Sequence, residues 1–243
     1  MTKLRNTPFV AIAVLMSSGL LALAGGGGGG GGRGGGGGGP ESTVDFLARP
    51  TTAEKAPDAA GFIQRWLILD PINNAQGVSQ NAVQRMVKTD LFPNQFTVIP
   101  KDGDKVTVNG AELTWRALDS KKYDFSLWHY ANLTGKQTSA NVLMWAVAII
   151  NCPEEIKDVR LAIGSNDASV WWVNGQEVTG LYGDRPCVVD DAVTKRLTLK
   201  KGQNVIRAAI HNQQGMTDFC ARFLDAEGKP ITNFSTSVVD ITK

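Results

Sequence analysis

The sequence predicts an all-β sandwich of jelly-roll type with one short accessory helix, and three observations carry that expectation. Most segments after Gly61 either alternate apolar and polar residues with period two or form short apolar runs closed by turn residues, which is how strands read in a sequence. Two Asn-Gly pairs, Asn109-Gly110 and Asn174-Gly175, separate such segments, and both residue types tolerate the positive φ that a two-residue hairpin needs. Only the stretch from Ser79 to Leu91 has helical spacing. About ten short strands with a single helix make a sandwich rather than an α/β fold.

The chain starts with the pattern of a secretory signal over residues 1–24. Lys3 and Arg5 give a positive start, Val10 to Leu15 and Leu20 to Leu23 an apolar run, and Ala22-Leu23-Ala24 a small-x-small cleavage site. The apolar stretch from Phe9 to Ala24 is 16 residues and is interrupted at Ser17, Ser18 and Gly19, short of the roughly 20 needed to span a bilayer. The expectation is export to the periplasm, cell surface or medium, with no stable membrane span. Of the 27 glycines, 14 lie between Gly25 and Gly39, broken once by Arg33. Such a tract has no side chains to bury and the most backbone entropy to lose, so it reads as a flexible tether. Residues 41–60, flanked and punctuated by Pro40, Pro50 and Pro57, read as its continuation. Residues 25–60 are therefore expected to be linker and residues 61–243 the packed module.

Within the module, Phe62 to Leu69 alternates until Asp70-Pro71 stops it. Ser79 caps a helix whose apolar stripe is Val83, Met86, Val87 and Leu91. Lys105 to Val108 and Glu112 to Ala117 flank the first Asn-Gly turn. Val142 to Ile150 is almost continuously apolar, as a strand covered on both faces should be. Val159 to Ile163, Val170 to Val173, Lys195 to Leu199, Val205 to His211, Met216 to Leu224 and Ile231 to Val239 complete the strand set. Lys200-Lys201-Gly202-Gln203 forms a further hairpin.

Charge narrows the function class. The whole chain is formally +2, but from Glu41 onward it carries 22 basic and 23 acidic side chains, a net −1. A phosphate-neutralising surface needs a positive face, so nucleic acid is not an expected partner. No Gly-x-Ser-x-Gly is present, and a triad would have to use His129 or His211, the two histidines of the chain. No catalytic residue is assigned. No Cys-x-x-Cys or histidine pair has metal-ligand spacing, so neither a metal nor another cofactor is expected. Asp184, Asp190 and Asp191 suit a solvated acidic loop better than a calcium site. Cys152 and Cys220 read as small buried hydrophobes, with one pair among Cys152, Cys187 and Cys220 able to bridge.

The aromatic residues say more. Trp171 and Trp172 are consecutive on one strand, so they point to opposite faces. One serves the core; the other faces solvent, a loop or a ligand. Tryptophan stacks on the C–H faces of sugar rings, and Asn, Asp and Arg bind hydroxyls. Asn166, Asp167, Trp172, Asn174, Tyr182, Arg185, Asp190 and Asp191 have that mixture, and Trp128-His129-Tyr130 is a second polar-aromatic cluster. Trp128 and His129 join the first group as candidate ligand contacts. The alternative is that both adjacent tryptophans simply pack.

Phe62-Ile63-Gln64-Arg65-Trp66-Leu67, Gly164-Ser165-Asn166-Asp167-Ala168-Ser169-Val170-Trp171-Trp172-Val173-Asn174-Gly175 and Lys195-Arg196-Leu197-Thr198-Leu199-Lys200-Lys201-Gly202-Gln203-Asn204 stand in collinear order. Together with Asn94-Gln95-Phe96-Thr97-Val98 and Trp145 to Cys152, they resemble the non-catalytic, galactose-binding-like β-sandwich module of secreted bacterial acetylxylan esterases. The resemblance covers roughly residues 61–239. It implies a carbohydrate-binding accessory to xylan-type polysaccharide degradation, with polysaccharide or oligosaccharide as ligand and a hydrolase or esterase as partner. The chain ends at Lys243, where family members continue into or join an esterase domain, so esterase activity does not carry over. The rival expectations are a protein-interaction or structural envelope module and an acetylxylan esterase component lacking its own catalytic domain.

Overall fold

The computed structural model describes residues 46–238 apart from Asn74, Gln76 and Met216. The signal and the glycine tract lie outside the described residues. In chain order the strands and helices begin with β1 (Leu47–Ala48), β2 (Glu54–Lys55), β3 (Arg65–Leu69), β4 (Ile72–Asn73) and α1 (Gln80–Lys88). Then come β5 (Lys105–Val108), β6 (Ala111–Ser120), β7 (Phe125–Ser126), α2 (Leu127–Thr134) and β8 (Ala140–Cys152). The chain continues through β9 (Ile156–Ser165), β10 (Ala168–Val173), β11 (Gln176–Leu181), β12 (Ala192–Val193) and β13 (Leu197–Leu199). It closes with β14 (Gly202–Gln214), β15 (Asp218–Leu224) and β16 (Ser235–Ser237).

The larger sheet runs β1-β6-β3-β8-β14-β10-β11, with β2, β4, β5 and β16 attached, and the smaller runs β12-β9-β15-β7 with β13 attached. Every strand pair is antiparallel. The two sheets close on one core containing Trp66, Trp171, Phe125, Leu161, Phe219 and Phe223. This is an all-β sandwich.

The larger sheet has a second covered face. Val83 and Val87 of α1, with Phe92 from the segment after it, pack on Trp115, Trp145, Val147 and Trp172. Both faces of β8 are therefore dry, and Val142 through Ile150 are all buried. Period two explains the division: Met144 and Ala146 enter the first core, while Trp145 and Val147 enter the second. Trp171 and Trp172 divide in the same way. The Ser79 hydroxyl accepts from the Ala82 amide and so caps α1. The Asn-Gly turns have φ of 51° and 80° at Asn109-Gly110 and 50° and 83° at Asn174-Gly175, both residues left-handed.

Lys200–Gln203 is not a hairpin, because β13 pairs with β9 in the smaller sheet and β14 pairs with β8 and β10 in the larger, so this turn carries the chain from one sheet to the other. Two further expectations need correction. The stretch 46–60 is not all tether, because Leu47 is buried, β1 pairs with β6 and β2 pairs with β16. The physical reason is Arg65, only 1% exposed, whose Nη1 donates to the carbonyls of Thr52 and Ala53 while its other nitrogens grip Asp119. Buried guanidinium donors need fixed acceptors, and this segment supplies them. The second difference is α2, which the sequence did not announce. Its mean apolar character is high all round, Ser126 makes no side-chain cap, and Leu127 and Tyr130 are the buried pair. An eight-residue helix without a polar face or a cap leaves little periodicity to detect.

Candidate functional site

The loop after β11 gathers part of the predicted ligand set, but as internal ties. The Asp167 amide donates to the Arg185 carbonyl (3.0 Å), and the Asp167 carboxylate accepts from the Gln213 amide (2.6 Å). Asp191 is ion-paired to Arg185. Asp190 is ion-paired to Arg222, whose guanidinium lies 4.8 Å from the centre of the Phe62 ring. Two of the loop's three carboxylates are thus paired with arginines, while Asp184 is exposed. Among the described residues no group of three His, Cys, Asp or Glu could hold a metal ion. Tyr182 accepts from Gln84 of α1 (2.8 Å), an anchor for the second core.

The structure does not bring Trp172 or Asn174 to this loop. Trp172 is 5% exposed and stacked on Trp145, with centroids 5.6 Å apart and planes at 27°. Neither of its faces is open to a sugar ring, because Phe96 covers it at 5.6 Å on a tilted approach. Asn174 lies at the far end of β10, where its amide donates to Asn204 and accepts from the Val205 amide. Consecutive strand positions and a turn at the other strand end are close in sequence only.

The second cluster lies on a concave surface. A cavity of about 190 Å³ opens between α2, the turn from Lys122 to Ser126 and the start of β15. Trp128, 44% exposed, stands on its rim, and His129 lines it. The His129 ring stacks on Phe46 (4.1 Å, 25°), and the Lys122 ammonium sits 3.9 Å above the other partner of that stack, the Phe46 ring. Asp124 and Asp218 bring two carboxylates to the wall. One Asp124 oxygen is buried with no hydrogen-bond partner. Burial pushes the Asp218 carboxyl up; a hydrogen bond with Ser126 pulls it down, the Asp124 charge raises it, and His129 and Lys122 lower it. The Asn166 amide donates to the Asp218 carbonyl (2.8 Å), which ties this predicted residue to the strand that carries Asp218, but Asn166 does not line the cavity.

Sequence reasoning reached Trp128 and His129 but missed Phe46, Lys122, Asp124, Ser126 and Asp218. The pairing of β15 with β7, which sets Asp218 opposite Ser126, assembles them. No local pattern signals a contact of that sequence separation. The other histidine, His211, is fully buried; burial lowers its pKa, with Asp167 acting in the opposite sense.

No family model matches the chain, and no curated protein matches it. Among solved structures it is similar to the PA14 sugar-binding domain from an RTX adhesin, at 13% identity and a TM-score of 0.42, covering 72% of this chain and 99% of that one. The PA14 domain of the MpAFP antifreeze protein gives 11% identity and 0.42, covering 75% and 94%. The Epithelial Adhesin 9 A domain from Candida glabrata, in complex with Galb1-3GlcNAc, gives 13% identity and 0.38, covering 82% and 96%. At these scores the likeness carries no argument about ligand or activity. Among the described residues no helix is long and apolar enough to cross a membrane.

Proposed function

We propose that the chain is an exported, non-catalytic carbohydrate-binding module whose sugar site is the cavity beside α2. The observation that carries this reading is the half-exposed Trp128 at the rim of a concavity walled by Asp124, Asp218, Ser126, His129 and Lys122. A sugar ring has apolar C–H faces and a rim of hydroxyls. An open indole accepts the face, carboxylates and hydroxyls accept or donate at the rim, and a few convergent polar groups fix orientation. Asp124 and Asp218 bring carboxylate acceptors to the wall for ligand hydroxyls.

Xylan-type chains are the ligand class to test first, because the collinear motifs of residues 61–239 resemble an acetylxylan-esterase accessory module. In that role the protein holds a separate hydrolase or esterase near its insoluble substrate, and the glycine tract serves as the tether that raises effective concentration. The test is titration of the full chain with xylo-oligosaccharides and acetylated xylan, read by tryptophan fluorescence and by the amide shifts of Ser126, Trp128 and Asp218. Saturable change lost in Trp128→Ala is the expected result. Unchanged spectra with every polysaccharide tried, or binding that survives both Trp128→Ala and Asp218→Ala, would overturn the assignment.

A further inference from the structure

A second cavity, on the opposite side of the larger sheet from the sandwich core, holds a buried cation with no counterion among the described residues. Arg207 sits in the middle of β14, with Trp172 of β10 and Val147 of β8 directly opposite it in register. Its neighbours two residues away, Val205 and Ala209, pack in the second core, so strand periodicity calls for an apolar side chain here. The chain places a guanidinium there instead, 2% exposed. Its Nη2 donates to the Val98 carbonyl at 2.5 Å, and its Nη1 is buried with no partner. Burial lowers its pKa to about 10, so the group stays protonated at neutral pH, and among the described residues no carboxylate is ion-paired to it. The contrast with Arg65 is direct, since that equally buried guanidinium is gripped through two nitrogens by Asp119.

Such an arrangement is costly unless something else completes it, because an unpaired buried charge is among the least favourable groups in a protein interior. The completing space is present. Arg207 lines a cavity of about 180 Å³ formed by Phe96, Thr97 and Ile99 on one side and by Gly175 and Val205 on the other. Apart from Arg207, the lining is Phe96, Ile99 and Val205 with Thr97, Asn174 and Gly175. Asn174, also at the turn, already spends its amide oxygen on the Val205 amide.

We infer that this cavity binds a small carboxylate-bearing ligand, with its carboxylate paired to the guanidinium of Arg207, which lines the wall. One positive charge matches one negative charge, whereas a phosphate dianion would leave excess negative charge in a site with no second cation. The planar carboxylate suits a guanidinium edge, and the apolar wall of Phe96, Ile99 and Val205 covers the carbon body behind it. Two sources share this chemistry, a uronic acid ring and a short-chain organic acid. The site is independent of the cavity beside α2, and the inference stands whether or not that cavity takes a sugar.

The test uses the full chain, with sodium glucuronate, sodium acetate, glucose and sodium chloride at matched ionic strength, read by the amide shifts of Thr97, Gly175 and Val205. The expected result is saturable shifts with a carboxylate and none with glucose or chloride. A stronger response to glucuronate identifies the acidic-sugar source, and an equal or stronger one to acetate the short-chain source; both support the inference. Arg207→Met should weaken binding at least roughly tenfold without lowering thermal stability, since replacing an unpaired buried charge with an apolar side chain is commonly neutral or stabilising. Trp128→Ala should leave these shifts in place. Shifts that chloride or glucose reproduces, no carboxylate response in the wild-type protein, or undiminished binding in Arg207→Met would each overturn the inference. The wild-type titration decides the matter even if the Met variant does not fold.

Discussion

Replacing Trp172 with alanine sets the two readings of that residue against each other. As a core residue, it is 5% exposed, stacked on Trp145 and covered by Phe96. Removing a buried tryptophan costs about 3–5 kcal/mol through lost transfer energy and the cavity left behind. The ring pairs are worth about 0.5–1.5 kcal/mol beyond area burial, which places the expected loss toward the top of that range. Domains are stable by only about 5–15 kcal/mol, so the variant should remain folded but fragile. With an m-value of about 2–3 kcal/mol/M, the urea midpoint should fall by about 1–2 M. The companion is Trp128→Ala, whose exposed ring should change stability by no more than about 0.5 kcal/mol while removing any sugar response. Equilibrium urea unfolding followed by far-ultraviolet circular dichroism measures the first quantity, since fluorescence changes with the tryptophan itself. If Trp172→Ala shifts the midpoint by less than about 0.3 M and also abolishes sugar binding, the assignment of Trp172 to the second core is wrong.

Other predictions follow from particular contacts. His211 has a folded pKa below its ordinary 6.5 because it is buried, so its contribution to stability is complete above that pH and is lost as the pH falls below it; His211→Gln should flatten the stability profile there. Asp70 behaves similarly at lower pH: burial opposes its ionisation, but hydrogen bonds from Tyr130, Arg116 and the Thr114 amide outweigh it and lower its pKa from 3.8. Its stabilisation is present above that value and disappears as the pH falls through the lowered one, and Tyr130→Phe should move the acid unfolding midpoint upward. Asp119→Ala should cost about 3–5 kcal/mol, because it strands the buried Arg65 guanidinium; chemical denaturation of the variant measures it. Gly164→Ala should cost at least about 1–3 kcal/mol, since a Cβ there runs into the Val188 carbonyl and the Cys220 sulfur; a thermal melt within a degree of wild type would contradict it.

The strands were legible because their pattern is local. Val142 to Ile150 is apolar throughout since both faces of β8 are covered, and the two Asn-Gly pairs mark turns because Asn and Gly tolerate the positive φ that a two-residue hairpin turn requires. α1 was legible from its stripe and its Ser79 cap, whereas α2 lacked both signals. The candidate sites were legible only in part. Trp128 and His129 stood out as aromatic and polar neighbours, but their carboxylate partner Asp218 is 89 residues away from His129 and arrives through strand pairing.

The adjacent tryptophans show where the division falls. From the sequence alone it followed that Trp171 and Trp172 face opposite ways, because side chains alternate along any strand. What lies on the second face did not follow. α1 and the segment after it fold across that face and turn an apparently free indole into core. The same cover leaves Arg207 buried beneath Phe96 with one donor unmatched. Local chemistry decided the strands and their faces, and long-range packing decided which faces stay wet, since burial depends on what the rest of the chain brings to a surface.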